Sequence, residues 1–151
     1  MTTTYAIERW QECWEEITPL WEAHGRELGR AMAPDQARYR ALDAAGLLLL
    51  ATMRDEGRLV GIHRSVLGPD LHQISTWYAV SDGWFVLPSA RKGMAALPLL
   101  DTAVAEAQAR GLTALYQPSP VGHEIGALLR RQGWTHTDTL YKKECKPCPR
   151  L

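Results

Sequence analysis

The chain has 151 residues, 46% of them hydrophobic and 23% charged, and its 17 basic and 17 acidic residues cancel. That is the size and composition of one globular domain with its own core, and the charge balance excludes both the basic footprint of a nucleic-acid binder and an acidic solvating tail. The longest apolar run, Ala44–Ala51, is far too short to span a bilayer, and Met1–Tyr5 has no basic-then-apolar leader pattern. An odd count of three cysteines makes no disulfide framework, so the expectation is a cytoplasmic protein that engages neither nucleic acid nor membrane.

Tyr5–Trp10 alternates apolar and polar residues and reads as a first strand. From Gln11 to Leu28 the residues Trp14, Ile17, Leu20, Trp21 and Leu28 recur at helical steps, which predicts an amphipathic helix with a bend at Pro19. Trp10, Trp14 and Trp21 are expected between this helix and the sheet, and Cys13 among them as a buried small hydrophobe. Met32–Ala45 gives a second helix, with Pro34 and Asp35 near its start and Gly46 after its end.

The period then changes. Leu47–Met53 reads as a buried strand, Arg54–Arg58 as a hairpin turn and Leu59–Leu67 as the returning strand. His72–Val80 reads as a further strand, broken by a Ser81-Asp82-Gly83 turn, and Trp84–Leu87 as a short apolar strand stopped by Pro88. Met94–Arg110 is a long helix ended by Gly111, Leu112–Tyr116 a strand, His123–Gln132 a helix, and Thr135–Lys142 an alternating final strand. The predicted fold class is α/β (α+β), order β-α-α-β-β-β-α-β-α-β: a mixed, mostly antiparallel sheet with helices on both faces. Residues 1–144 form one domain in this reading. Residues 145–151 form a flexible tail, where Cys145-Lys146-Pro147-Cys148 has no second cysteine pair and reads as frayed and reduced rather than metal-binding.

The segment that can carry chemistry runs from Trp84 to Leu100. A buried strand ends at Pro88, a short loop with Arg91, Lys92 and Gly93 follows, and then a long helix. A helix's first turn offers unpaired N–H groups and a positive dipole end. Read from the residues alone, the segment is either an ordinary strand-to-helix turn or an anion site suited to a diphosphate.

Val86-x-Pro88-x-x-Arg91, followed by the pair Leu99-Leu100, resembles the coenzyme A-binding signature of GNAT acetyltransferases. Gly111–Leu115, Leu128–Trp134 and Thr139–Glu144 are similar to the family's following strand, helix ending in Gly-aromatic, and closing strand. The stretch from Gly68 to Gly93 is similar to phage- and prophage-encoded members, and the resemblance covers residues 45–144. It implies acetyl transfer from acetyl-CoA to a primary amine by direct attack, in a protein compatible with a homodimer. It further implies that pantetheine lies along Phe85, Val86 and Leu87 like an added strand. The backbone of Arg91, Lys92, Gly93, Met94, Ala95 and Ala96 would cradle the pyrophosphate, and an N–H near Phe85 or Val86 would stabilise the oxyanion.

The sequence departs from the family at two places. Aligned on Arg91, the family glycines fall at Met94 and Ala96, with Gly93 one place early, and the tyrosine that protonates the departing thiolate in many members falls at Leu129. A non-catalytic GNAT-fold module that binds CoA or another protein is therefore the alternative function.

An attacking amine must shed a proton, so a base is needed near the acceptor. Asp82 is either the turn residue of Ser-Asp-Gly or that base, on one strand face with Trp84 and Val86. His72 is the second candidate, since histidine is the commonest general base. Tyr141 is either a core tyrosine or the substitute acid, and Trp77 and Trp84 are either core or an aromatic wall for a cation.

Overall fold

The computed structural model describes residues 2–145. The chain divides into two compact units, Met1–Gln117 and Pro118–Leu151. The first holds β1 (Thr3–Ile7), α1 (Trp10–Glu27), α2 (Gln36–Ala44), β2 (Leu48–Asp55), β3 (Arg58–Pro69), β4 (Trp77–Val86), a short 3₁₀ turn (Pro88–Ala90), α3 (Ala96–Ala109) and β5 (Ala114–Tyr116). The strands form one sheet in the order β1-β2-β3-β4-β5, antiparallel except for the parallel pair β4 and β5.

The sheet is buried on both faces, which is why β2 opens on the apolar run Leu48–Ala51 and is buried through Met53. Leu48 and Leu50 point toward α1, into a cluster with Trp10, Cys13, Ile17, Leu20, Trp21, Ile62 and Phe85. Leu49, Ala51 and Met53 point the other way, against Val86 and the α3 residues Leu99, Ala103 and Ala107. Helices on both faces and a mostly antiparallel sheet agree with the sequence expectation. Cys13 is 2% exposed, and burial pushes its thiol up to about 12, which fits the expected small hydrophobe.

Local chemistry sets the boundaries. The Arg9 N–H donates to the Glu12 carboxylate at 3.0 Å where α1 begins. Helix α1 continues through Pro19, which lies on its exposed side, where water can reach the carbonyl that proline leaves unbonded. Asp35 caps α2 by accepting from the Arg38 N–H at 3.0 Å. The β2–β3 hairpin turns on Glu56 and Gly57, both with positive φ, the geometry that matches strand twist.

Two expectations for this unit are corrected. Residues 72–76 form a turn rather than strand: the Asp70 side chain accepts from the His72 N–H at 2.8 Å, and the Asp70 N–H donates to the Thr76 carbonyl at 2.9 Å. Ser81-Asp82-Gly83 is not a break but lies inside one continuous β4. The register against β3 shifts there, with Arg64 opposite Gly83 and Ser65 opposite Ser81, so Asp82 is the extra residue of a β-bulge.

In the second unit, α4 spans Gly126–Arg131. Its end is closed by the Gly133 N–H donating to Arg130 and the Trp134 N–H to Leu129, with Gly133 at φ 84°. The expected strand over 135–142 does not form. Leu140 and Tyr141 are its only large apolar residues and both remain exposed, so pairing would bury too little to order it. The Cys145–Cys148 pair and the tail reach beyond the described residues.

Candidate functional site

The bulge decides which way each candidate points. Trp84 and Val86 pack on the α3 side. Phe85 and Asp82 face α1 and α2, because the extra residue inverts the alternation. Asp82 therefore does not share a face with Trp84 and Val86. Its carboxylate accepts a short hydrogen bond from the Tyr39 hydroxyl of α2 and lies 3.4 Å from the Arg64 Nε.

Arg64 is the centre of this site. It sits on β3 between Ile62 and Val66 on the same face, 2% exposed, with its guanidinium over the Trp21 ring at 4.6 Å. Burial pulls the guanidinium's pKa down, opposed by Tyr39 and Asp82. Burial likewise pushes the Tyr39 phenol up to about 12, with Arg64 opposing and Asp82 adding, so Tyr39 keeps its proton as the donor to Asp82. Tyr39 stacks on Trp10 at 4.5 Å and tilts against Trp21, which fixes the phenol in place.

A cleft of about 280 Å³ opens here, lined by Trp21, Tyr39, Arg64 and Asp82 and by the 30–34 segment that joins α1 to α2. That segment folds back over the end of α1 because Gly25 has no side chain: a Cβ there would lie 2.6 Å from the Arg30 carbonyl oxygen. Gly83 is required for a similar reason, since a Cβ would lie 2.2 Å from Arg64 Nη2. Gly83→Ala is expected to push the guanidinium off Trp21 and Asp82 and to cost about 1–3 kcal/mol. Urea denaturation measures the loss, and an unchanged midpoint would refute the packing argument.

The second part of the site is the far end of β4. Pairing with β5 covers only Tyr78, Ala79 and Val80, so the outer edge from Ser81 to Val86 has no strand partner among the described residues. The 91–95 loop then leads into α3, with Gly93 at φ 58°, a conformation that favours glycine. Turn bonds run from Ala95 to Lys92 and from Leu97 to Met94, and no side chain caps the helix. The N–H groups of Lys92, Gly93, Met94 and Ala96 make no backbone bond among the described residues. Met94 is 59% exposed, directed away from the core. Arg91 folds back: its Nε donates to the Val86 carbonyl at 2.8 Å and its Nη groups to Glu27. It ties α1 to the end of β4.

The other candidates lie elsewhere. His72 is in the β3–β4 turn, exposed, and at least five strand residues from Asp82, roughly 16 Å at the usual rise. Trp77 is 40% exposed at the start of β4, and the aromatic walls of the cleft are Trp21 and Tyr39 instead. Tyr141, in the second unit, is 94% exposed and not a core tyrosine. The sequence reading missed Arg64 and Tyr39. The signal for Arg64 was present, a charge inside the inward period of Ile62 and Val66. Tyr39 gave none, as a lone aromatic in a polar helix.

No protein-family model and no curated protein sequence matches the chain. Solved structures do match. A ribosomal-protein-alanine N-acetyltransferase from Brucella melitensis biovar Abortus 2308 is 21% identical with a TM-score of 0.74, over 96% of this chain and 100% of that one. An aminoglycoside acetyltransferase from an uncultured soil metagenomic sample, in complex with sisomicin, is 11% identical with a TM-score of 0.77, over 95% and 97%. A predicted acetyltransferase from Clostridium acetobutylicum, with acetyl-CoA, is 12% identical with a TM-score of 0.74, over 95% and 96%. The chain has the fold of the GNAT acetyltransferases.

Proposed function

We propose that the protein is an N-acetyltransferase that moves an acetyl group from acetyl-CoA to a primary amine held in the Arg64–Tyr39–Asp82 cleft. The observation that carries this reading is the β4 edge left open where β5 ends opposite Val80, beside a loop whose N–H groups make no backbone bond. An extended amide-bearing arm can pair as an added strand with the outward backbone groups of the open edge, which ends at Val86, since the Leu87 N–H donates to Val60. The unbonded N–H groups of Lys92, Gly93, Met94 and Ala96, with the Lys92 charge and the α3 dipole, suit a pyrophosphate. Arg91 serves this site by holding the strand end and α1 together rather than as a free cation.

Acetyl-CoA supplies the activated acyl carbon. The amine's lone pair forms the N–C bond as the C–S bond breaks. The amine proton passes to Asp82, directly or through a water, and the sulfur leaves as a thiolate that takes a proton from solvent. Tyr39 and Arg64 fix the carboxylate from two directions. Fold neighbours named for a ribosomal protein, an aminoglycoside and glucosamine-6-phosphate support acetyl transfer in general and point to no single acceptor.

Acetyl-CoA at about 100 times its Kd should stabilise the protein by about 2.7 kcal/mol. Lys92→Glu should weaken that binding on the order of tenfold, because the reversed charge is only partly screened. Absence of any thermal shift at millimolar acetyl-CoA would overturn the reading.

A further inference from the structure

The cleft is lined by two arginines, Arg30 and Arg64, and by one acidic residue, Asp82. It is therefore net positive before any ligand enters. Arg64 is 2% exposed, yet its Nε and Nη1 have no hydrogen-bond partner. Asp82 stands 3.4 Å from Nε as an ion pair and offsets the charge without satisfying these donors. A buried guanidinium with incomplete partners favours further negative charge beside it, and Arg64 lines the cleft, where a carboxylate or phosphate supplies that charge. The cleft volume of about 280 Å³ admits a small molecule or one terminal residue.

Resting on the acetyl-transfer reading, we propose that the acceptor is a small amine that also carries an anionic group, a carboxylate or phosphate, with the anion on Arg64 and Arg30 and the amine toward Asp82. Such a ligand matches the charges of the lining, where the Arg64 Nε stands 3.4 Å from the Asp82 carboxylate and Arg30 adds a second basic residue. A polyamine sets added positive charge against two guanidinium groups in a partly desolvated space, where repulsion is weakly screened. Trp21 and Tyr39 supply the walls for whatever apolar body joins the two charges.

The test is thiol release from acetyl-CoA with matched pairs of amines: α-amino acids against their amides, an amino sugar phosphate against its unphosphorylated parent, and a polyamine. The expected result is a kcat/KM at least about tenfold higher for the acid-bearing member of one pair; the pair that responds identifies carboxylate or phosphate. Arg30→Gln, an exposed rim change that spares the core, should shrink that ratio severalfold through KM, and Arg64→Gln should shrink it further. Equal or better turnover of the neutral members or the polyamine would overturn the inference while leaving acetyl transfer standing. An intact ratio in Arg30→Gln and a folded Arg64→Gln would also overturn it. Failure of acetyl-CoA to bind at all would overturn both.

Discussion

Lowering the pH from 7 to 5 is expected to take about 2 kcal/mol off the unfolding free energy, and His63→Gln is expected to remove most of that loss. His63 lies on β3, 0% exposed, on the α3 side of the sheet opposite Trp84. Its Nε2 meets the Gln117 side chain at 2.9 Å, while Nδ1 has no partner. Burial holds its pKa down to about 4, Gln117 opposes this, and Arg64 adds to it. An unfolded histidine titrates near 6.5. Between those values the unfolded chain binds a proton that the native chain refuses, so stability is complete above about pH 6.5 and falls as the pH drops toward 4. Each pH unit in that window costs about 1.4 kcal/mol, and the full window about 3 kcal/mol. His24 pushes in the same direction, mainly through burial and then Arg64. Glu16, held down by Arg54, loses its contribution only in the more acid carboxylate range. Urea unfolding at pH 7, 6 and 5 measures the slope, and a His63→Gln protein with the native slope would assign it elsewhere.

His63 also shows where sequence reading stops. The layers were legible because β2 opens on the apolar run Leu48–Ala51, α1 keeps its helical period, and Gly46, Gly57, Gly111 and Gly133 mark ends that the backbone confirms with positive φ. The strand-to-helix loop at Arg91–Gly93 was legible for the same reason, through Pro88 and a glycine. The bulge was not. A register shift depends on the partner strand, and Ser81-Asp82-Gly83 has the composition of a turn whether or not β3 lies beside it. That one shift moves Asp82 to the face opposite Trp84 and Val86, so a period-two argument fails beyond it. Arg91 misled in another way: its loop position was right, but Glu27, more than sixty residues earlier, takes its charge. Pairings across such separations leave no local trace. The final strand failed on energetics, because alternation of threonine with His136, Asp138 and Lys142 has the period of a strand without its apolar surface.

Asp82→Asn is expected to lower acetyl transfer by about 10²–10⁴-fold at neutral pH, the usual contribution of a general base. Asparagine keeps the size of the side chain and can still accept from the Tyr39 hydroxyl, but it cannot take a proton from the amine. The loss should shrink as pH rises, since more of the amine is then already neutral in solution. A purely structural role predicts a different pattern. Asp82 is the counter-charge of a buried guanidinium, so removing it weakens the fold by leaving Arg64 less compensated; the side chain is 41% exposed, which lets water offset part of that. Two controls separate the roles. The acetyl-CoA thermal shift of Asp82→Asn reports whether the protein is folded and holds its cosubstrate. Tyr39→Phe keeps the stacking on Trp10 and removes only the donor to Asp82. It should lower turnover less than Asp82→Asn, because the carboxylate loses an orienting partner but can still take the proton. A folded Asp82→Asn protein that binds acetyl-CoA and turns over at the native rate from pH 6 to 9 would remove Asp82 from the reaction. The Arg64–Asp82–Tyr39 group would then be a structural ion pair, and a water in the cleft would have to take the proton.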